Sequence, residues 1–226
     1  MVLTLLHGFM QDGRAWDELA ARLPAEWTIR RPSLMGSTSL EAAATTVREP
    51  SHLVGYSMGG RLALWLAVQR PDLVLSLATI GAHAGLAPEE RTRRAVADEA
   101  LAHRVEREGI DWFAGYWAAQ PMFARLAGRA DLDAMRRSLD AGAVAATLRG
   151  LGPAAVEPFW DRVHTIAVPA LFIAGAEDGR YPDLARRLAD TVPNGRAQIV
   201  PDAGHAVHLE QPDAVARLLR AHLSTR

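Results

Sequence analysis

The 226-residue chain contains no cysteine and no lysine, and its formal net charge is only −1. Without cysteine there is no disulfide, no thiolate nucleophile and no zinc–thiolate centre. A near-neutral charge gives no basic surface for nucleic acid or for an anionic membrane, so neither is expected as a partner. No apolar run reaches the roughly 18 residues that a bilayer-spanning helix needs. The opening stretch MVLTLLHGF is apolar, but no basic segment precedes it and no small-residue cleavage site follows. It reads as a strand entering the core rather than a secretory signal, and the expected compartment is the cytoplasm. No metal-ligand cluster, P-loop or dinucleotide glycine motif appears, so no cofactor is expected. Oligomeric state has no signal in the sequence. Heavy use of Ala and Arg beside the missing Lys fits a genomic composition bias. It leaves the guanidinium, a group shaped for bidentate carboxylate binding, as the permanent cation of every basic side chain.

Hydrophobic residues make up 49% of the chain and charged residues 23%, ordinary for a soluble globular protein. The length suits one sizeable core rather than two. Short β-rich apolar runs at 2–6, 27–32, 52–56, 73–81, 169–175 and 196–201 read as strands. Helical patterns lie between them at 16–23, 39–49, 58–71 and 181–191, and a last one at 211–223. This alternation predicts a single α/β domain, a mostly parallel sheet covered by helices on both faces. From about 86 to 160 helical pattern follows helical pattern with no convincing strand. We expect this stretch to be a helical cap over the carboxyl edge of the sheet, where open α/β folds bind ligands.

The stretch HLVGYSMGGRLALWLA, residues 52 to 67, places Ser57 in a G-x-S-x-G turn between a predicted strand and a predicted helix. A sharp bend there exposes the hydroxyl and turns the next backbone N–H, that of Met58, toward a developing oxyanion. Taken alone, the motif also fits a small residue in a tight structural turn. An activated serine needs a base, and the base needs a carboxylate to orient it, in the chain order Ser, acid, His for this topology. Of the eight histidines, His205 lies in the loop PDAGHAVHLEQP after the last predicted strand. His208 reads as a packing or capping group, and His103 as a solvated residue of a charged helix. His52, His164 and His222 have no chemical context. For the acid, Asp178 follows Gly175 by three residues at a strand end in LFIAGAEDGRYPD, with Glu177 and Asp183 nearby. Asp202 is three residues from His205 on the same loop and is poorly placed to aim it. The strand-end sequence His7-Gly8-Phe9 offers a second oxyanion donor, the N–H of Phe9.

These residues resemble the α/β-hydrolase superfamily over essentially the whole chain. Within it, the sequence is most similar to the 2-succinyl-6-hydroxy-2,4-cyclohexadiene-1-carboxylate synthase family of the menaquinone pathway. The similarity is carried by LLHGFMQDGRAW, LVGYSMGGRLAL, IGAHAGLAPEERTRRAVAD, WAAQPMFA, AGAEDGRY and AGHAVHLEQP. It implies a lyase, not a hydrolase, that eliminates pyruvate from 2-succinyl-5-enolpyruvyl-6-hydroxy-3-cyclohexene-1-carboxylate. In that reaction Ser57, His205 and Asp178 act together as a base on a carbon-bound proton. The substrate would be a small polycarboxylate. Three cations fit it: Arg61, one turn past Ser57; Arg94, in an R-x-x-x-D step that matches a family arginine; and Arg180, two residues after Asp178. Tyr56 and Trp117 would form an apolar, hydrogen-bonding wall. Trp112 and Trp160 read as packing residues.

One loop departs from the usual pattern. The family's D-x-P-G-x-G-x-S segment reads here as RPSLMGSTS, with Ser33 in place of the acid and Met35 in place of the proline. That loop commonly borders the site entrance, so the departure bears on the substrate. Two other readings stand beside the lyase. One is a serine hydrolase acting on an ester, thioester or carbon–carbon bond with the same three residues. The other is a non-catalytic binding protein on the same scaffold.

Overall fold

The computed structural model describes residues 1–224. Six strands form one parallel sheet: β1 (Val2–Leu6), β2 (Thr28–Arg30), β3 (Ser51–Tyr56), β4 (Val74–Ile80), β5 (Ala170–Gly175) and β6 (Gly195–Val200), in spatial order 2-1-3-4-5-6. The chain order reverses beside β1, between β2 and β3, and a crevice forms at such a switch point. All six residues of β3 are buried, as a strand covered on both faces requires. Side chains alternate between two cores. Leu53, Leu77 and Phe172 face one, and Val54, Ala78, Leu171 and Ile173 face the other.

The helices are α1 (Asp17–Ala20), α2 (Leu40–Ala44), α3 (Met58–Gln69), α4 (Pro88–Glu108), α5 (Ile110–Ala118), α6 (Ala130–Arg137), α7 (Ala141–Leu151), α8 (Tyr181–Thr191), α9 (Val207–Glu210) and α10 (Pro212–Ser224). Two are shorter than their patterns suggest. Gly13–Trp16 form a 3-10 turn and Asp17–Ala20 the single turn α1, so the helix ends before residue 23. Helix α2 starts after Ser39, whose Oγ accepts from Ala42 N–H, but stops at Ala44. There the hydroxyls of Thr45 and Thr46 donate to the carbonyls of Ala42 and Ala43, each at 2.7 Å, which pulls the last turn out of helical register. Pro71, which lacks an N–H, follows the end of α3. The final helix expected at 211–223 is α10, and the separate single turn α9 precedes it.

Between β4 and β5 lie α4 to α7 and a 3-10 segment, Pro121–Leu126, and no strand is present among the described residues. This helical insertion has a small core of its own, formed by Ala102, Val105, Phe113, Val144 and Leu148. Phe9 and Met10, from the loop after β1, join that core and tie the insertion to the sheet edge.

Candidate active site

The chain bends from β3 into α3 at Ser57, whose φ of 49° and ψ of −106° are unusual for any residue but glycine. The bend requires backbone to approach backbone. A Cβ on Gly59 would lie 2.1 Å from the carbonyl oxygen of Leu6, and one on Gly55 would lie 2.3 Å from that of Gly59. Bonds from Ser57 N–H to Ile80 O (2.8 Å) and from Gly59 N–H to His7 O (3.1 Å) pin the turn to both neighbouring strand ends. The serine hydroxyl is thereby held out at the carboxyl edge of the sheet.

His205 Nε2 lies 3.0 Å from Ser57 Oγ, and His205 Nδ1 lies 2.7 Å from Asp178 Oδ2. The carboxylate can only accept, so Nδ1 carries the hydrogen and Nε2 is left to accept from the serine hydroxyl. Both side chains are almost wholly buried, with exposures of 1% for His205 and 5% for Asp178. Glu177, in contrast, is exposed and paired with Arg125, and Asp183 is paired with Arg186 on the surface. The rings of Tyr181, Tyr56 and Phe123 surround the imidazole, with centroids at 4.7, 5.3 and 6.3 Å.

A cleft with about 570 Å³ of free space, part of it open solvent, contains Ser57 and His205 and is lined by Phe9 and Met58. Met58 opens α3, so its N–H precedes the intrahelical bonds. Neither that N–H nor the one of Phe9 has a hydrogen-bond partner among the described residues. His7, by contrast, has a structural part. Its Nδ1–H donates to Gly8 O at 2.8 Å and its Nε2 accepts from Leu34 N–H at 2.9 Å, and burial lowers its pKa. It joins the loop after β1 to the segment 32–39.

The predicted cations separate into three cases. Arg61 is 4% exposed, lines the cleft, and donates from one terminal nitrogen to Leu151 O at 2.6 Å. Its Nε is buried with no partner among the described residues. Burial lowers its pKa to about 10, which still leaves it charged at neutral pH. Arg94 also lines the cleft, but its Nε donates to Asp98 Oδ1 at 2.6 Å. Arg180 is not brought to the cleft. It precedes α8, pairs with Glu90 in the first turn of α4, and lies beside a separate surface depression with His83 and Trp160.

Tyr56 and Trp117 both line the cleft, and the Trp117 ring meets the ring of Phe9 edge-on at 5.0 Å. Trp160 lies outside it, under the guanidinium of Arg187. The sequence reading missed other walls: Met122 and Phe123, Leu148, the turn 151–153, and Tyr181. Tyr181 is three residues past Asp178, and that closeness was the only local signal. The unusual loop 32–39 contributes no wall to this cleft. Gly36 N–H donates to Thr147 Oγ1 at 2.7 Å, which docks the loop on α7.

The model of the alpha/beta hydrolase family matches residues 5–218. The chain belongs to that family. It is 32% identical to a putative 2-succinyl-6-hydroxy-2,4-cyclohexadiene-1-carboxylate synthase of Bacillus subtilis (strain 168), over 97% of this chain and 89% of the relative. It is 30% identical to the synthase of that name from Enterobacter sp. (strain 638), over 99% of this chain and 92% of the relative. Among solved structures, MenH from S. aureus superposes with a TM-score of 0.92 at 25% identity, covering 99% and 93% of the two chains. A thermophilic esterase from Thermogutta terrifontis superposes with a TM-score of 0.81 at 24% identity, a likeness of fold. The protein is therefore an enzyme on the α/β-hydrolase fold, similar to these synthases. Among the described residues, no helix is long and apolar enough to cross a membrane.

Proposed function

We propose that the enzyme eliminates pyruvate from 2-succinyl-5-enolpyruvyl-6-hydroxy-3-cyclohexene-1-carboxylate, with Ser57, His205 and Asp178 acting as one base. The observation that carries this reading is Arg61. A cation that is nearly fully buried, with one donor unpartnered, in the same cleft as the serine hydroxyl calls for an anion there. An enzyme for simple neutral esters has no use for such a group. The names and overall likeness of the synthase relatives support the same reading.

Comparing substrate with product defines the step. The ring proton at C2, next to the succinyl ketone, is removed. Its electron pair forms the C2–C3 double bond, the C3–C4 pair moves to C4–C5, and the C5–oxygen bond breaks. In this site Ser57 Oγ would take the C2 proton while its own proton passes to His205 Nε2, with Asp178 stabilising the imidazolium. Negative charge gathers on the ketone oxygen, where the N–H groups of Phe9 and Met58 would meet it. Such a donor stabilises the charged state by roughly 3–4 kcal/mol. The imidazolium then protonates the departing enolpyruvate, which tautomerises to pyruvate. Arg61 would hold a substrate carboxylate. Arg94 could hold a second one by sharing its guanidinium with Asp98. We keep Tyr56 and Trp117 as the apolar wall and give Arg180 no contact with substrate. The cytoplasm remains the proposed compartment.

The intact Ser57–His205 bond would equally serve acyl transfer, so the serine hydrolase is the second reading. The test is to supply the enolpyruvyl substrate and follow pyruvate, and in parallel to supply short p-nitrophenyl esters. Pyruvate release with little ester turnover is expected. Ester turnover without pyruvate would replace the lyase with the hydrolase.

A further inference from the structure

We propose that Glu210 is a positioning residue for His205, and that Arg125 of the helical insertion holds Glu210 to that task. The inference rests on the role of His205 as base. The Glu210 side chain is only 4% exposed, yet it carries a carboxylate. Its Oε2 accepts the N–H of Gly204 at 2.6 Å, and its Oε1 accepts the N–H of Ala206 at 3.0 Å. These are the residues on either side of His205. One carboxylate thus grips the backbone before and after the imidazole, and the direction of the side chain follows from that backbone. The demand is strict, because one ring must meet Asp178 at 2.7 Å and Ser57 at 3.0 Å together.

Arg125 completes the arrangement from the other side. Its Nε lies 3.2 Å from Glu210 Oε2, compensating the buried charge. Its terminal nitrogens donate to Glu177 Oε2 at 2.9 Å and to Asp202 O at 2.6 Å. One guanidinium therefore spans the loop of the acid, the loop of the histidine and the carboxylate that grips it. The two loops also join directly, through Glu177 N–H to Ala203 O at 2.9 Å. Asp202 has a φ of 51°, a left-handed conformation that needs support from its surroundings. Arg125 belongs to the segment Pro121–Leu126, whose Met122 and Phe123 line the cleft. The segment that touches substrate space is thus also the one that braces the histidine loop.

The test uses an alkyl fluorophosphonate on the full-length protein. Ser57 Oγ forms a bond to phosphorus, fluoride leaves, and His205 accepts the hydroxyl proton, so trapping reports serine activation whichever natural reaction follows. Glu210→Gln keeps one acceptor but points an amide N–H donor at a backbone N–H. It should lower the maximal trapping rate by about 10- to 100-fold and leave reagent affinity within about 2-fold, the pattern of lost positioning rather than lost binding. Arg125→Ala, a change at a partly exposed side chain, should lower the rate by roughly 5-fold, and Arg125→Lys should recover part of that loss. Both variants trapping at the wild-type rate, or a change confined to affinity, would overturn the inference and leave the base reading standing. If Glu210→Gln does not fold, Arg125→Ala with its lysine rescue decides the matter alone. A wild-type protein that resists the reagent would overturn the base reading and this inference with it.

Discussion

At the carboxyl edge of the sheet, the groups that face the cleft are placed by backbone. Ser57 stands in a strained turn, Asp178 and His205 sit on loops that begin at strand ends, and two N–H groups come from Phe9 and Met58. In the helical insertion, the walls are side chains on helices: Arg94, Trp117, Phe123 and Leu148. The cations show the difference most clearly. Arg61, one turn into α3, is buried and keeps a donor free, whereas Arg94 and Arg180, farther from the bend, are paired with Asp98 and Glu90. Under the proposed reaction, a backbone-placed edge that fixes the Ser57–His205–Asp178 distances, beside a side-chain wall that shapes the cleft, lets chemistry and selectivity be altered separately.

The strongest way to break this division is at the edge. Ser57→Ala and His205→Ala should each lower kcat by about 10⁴-fold, and the double variant should be little worse, because the groups act as a unit. Asp178→Asn should fall nearly as far, and Asp202→Asn should not. If Asp202→Asn alone abolished turnover, the assignment of the acid would be lost. Next comes the bend itself. Gly59→Ala places a methyl on the carbonyl of Leu6 and should cost about 3 kcal/mol or more in urea unfolding, with activity lost alongside.

The three arginines then rank the cleft. Arg61→Ala should reduce kcat/KM on the anionic substrate by roughly 100-fold. Arg94→Ala should reduce it by about 10-fold, because Asp98 already takes part of its charge. Arg180→Ala should stay within about 2-fold, since it breaks a largely exposed pair outside the cleft. Equal losses for Arg61 and Arg180 would contradict the placement of the cations.

A smaller effect comes from two buried histidines that the chemistry does not use. His208, between the rings of Trp16 and Tyr56, and His83 both have pKa values lowered to about 3, chiefly by burial. In the unfolded chain each takes a proton near pH 6.5, whereas the folded chain resists until about pH 3. Stability from this source is therefore complete above pH 6.5 and falls as the pH drops through that window. The loss is roughly 2 kcal/mol per group by pH 5. The two ring nitrogens of His208 have no hydrogen-bond partner among the described residues. His208→Phe should thus be tolerated at pH 7 and should lose less stability than wild type between pH 7 and pH 5, measured by urea midpoints. An unchanged slope would mean that His208 does not titrate in this way.

Much of the edge was legible in the sequence because its parts are local. A glycine-flanked serine between a strand and a helix, an acid three residues past a strand-end glycine, and a histidine after the last strand each announce themselves within a dozen residues. The four inner strands were visible for a similar reason, since strands buried on both faces read as short apolar runs, and the edge strands β2 and β6, partly exposed, are the more polar of the six. The family likeness told which arginines to inspect, but not what each one meets. Glu90 and Arg180 are far apart in sequence, and only the fold, which brings the first turn of α4 to the start of α8, makes them partners. The same holds for Phe123, Leu148 and Tyr181, whose apolar character predicts burial without naming the neighbour. The loop 32–39 shows the reverse error. Its altered sequence suggested a changed entrance, but its backbone docks on His7 and Thr147 instead of on the cleft.

On the proposed mechanism Ser57, with His205 behind it, removes a proton from carbon rather than attacking a carbonyl. A single turnover of the enolpyruvyl substrate carrying deuterium at C2 tests it most directly. Slower pyruvate formation than with protium at C2, and no covalent adduct on Ser57 by intact mass, is the outcome this account requires. Identical rates together with an acylated Ser57 would contradict it.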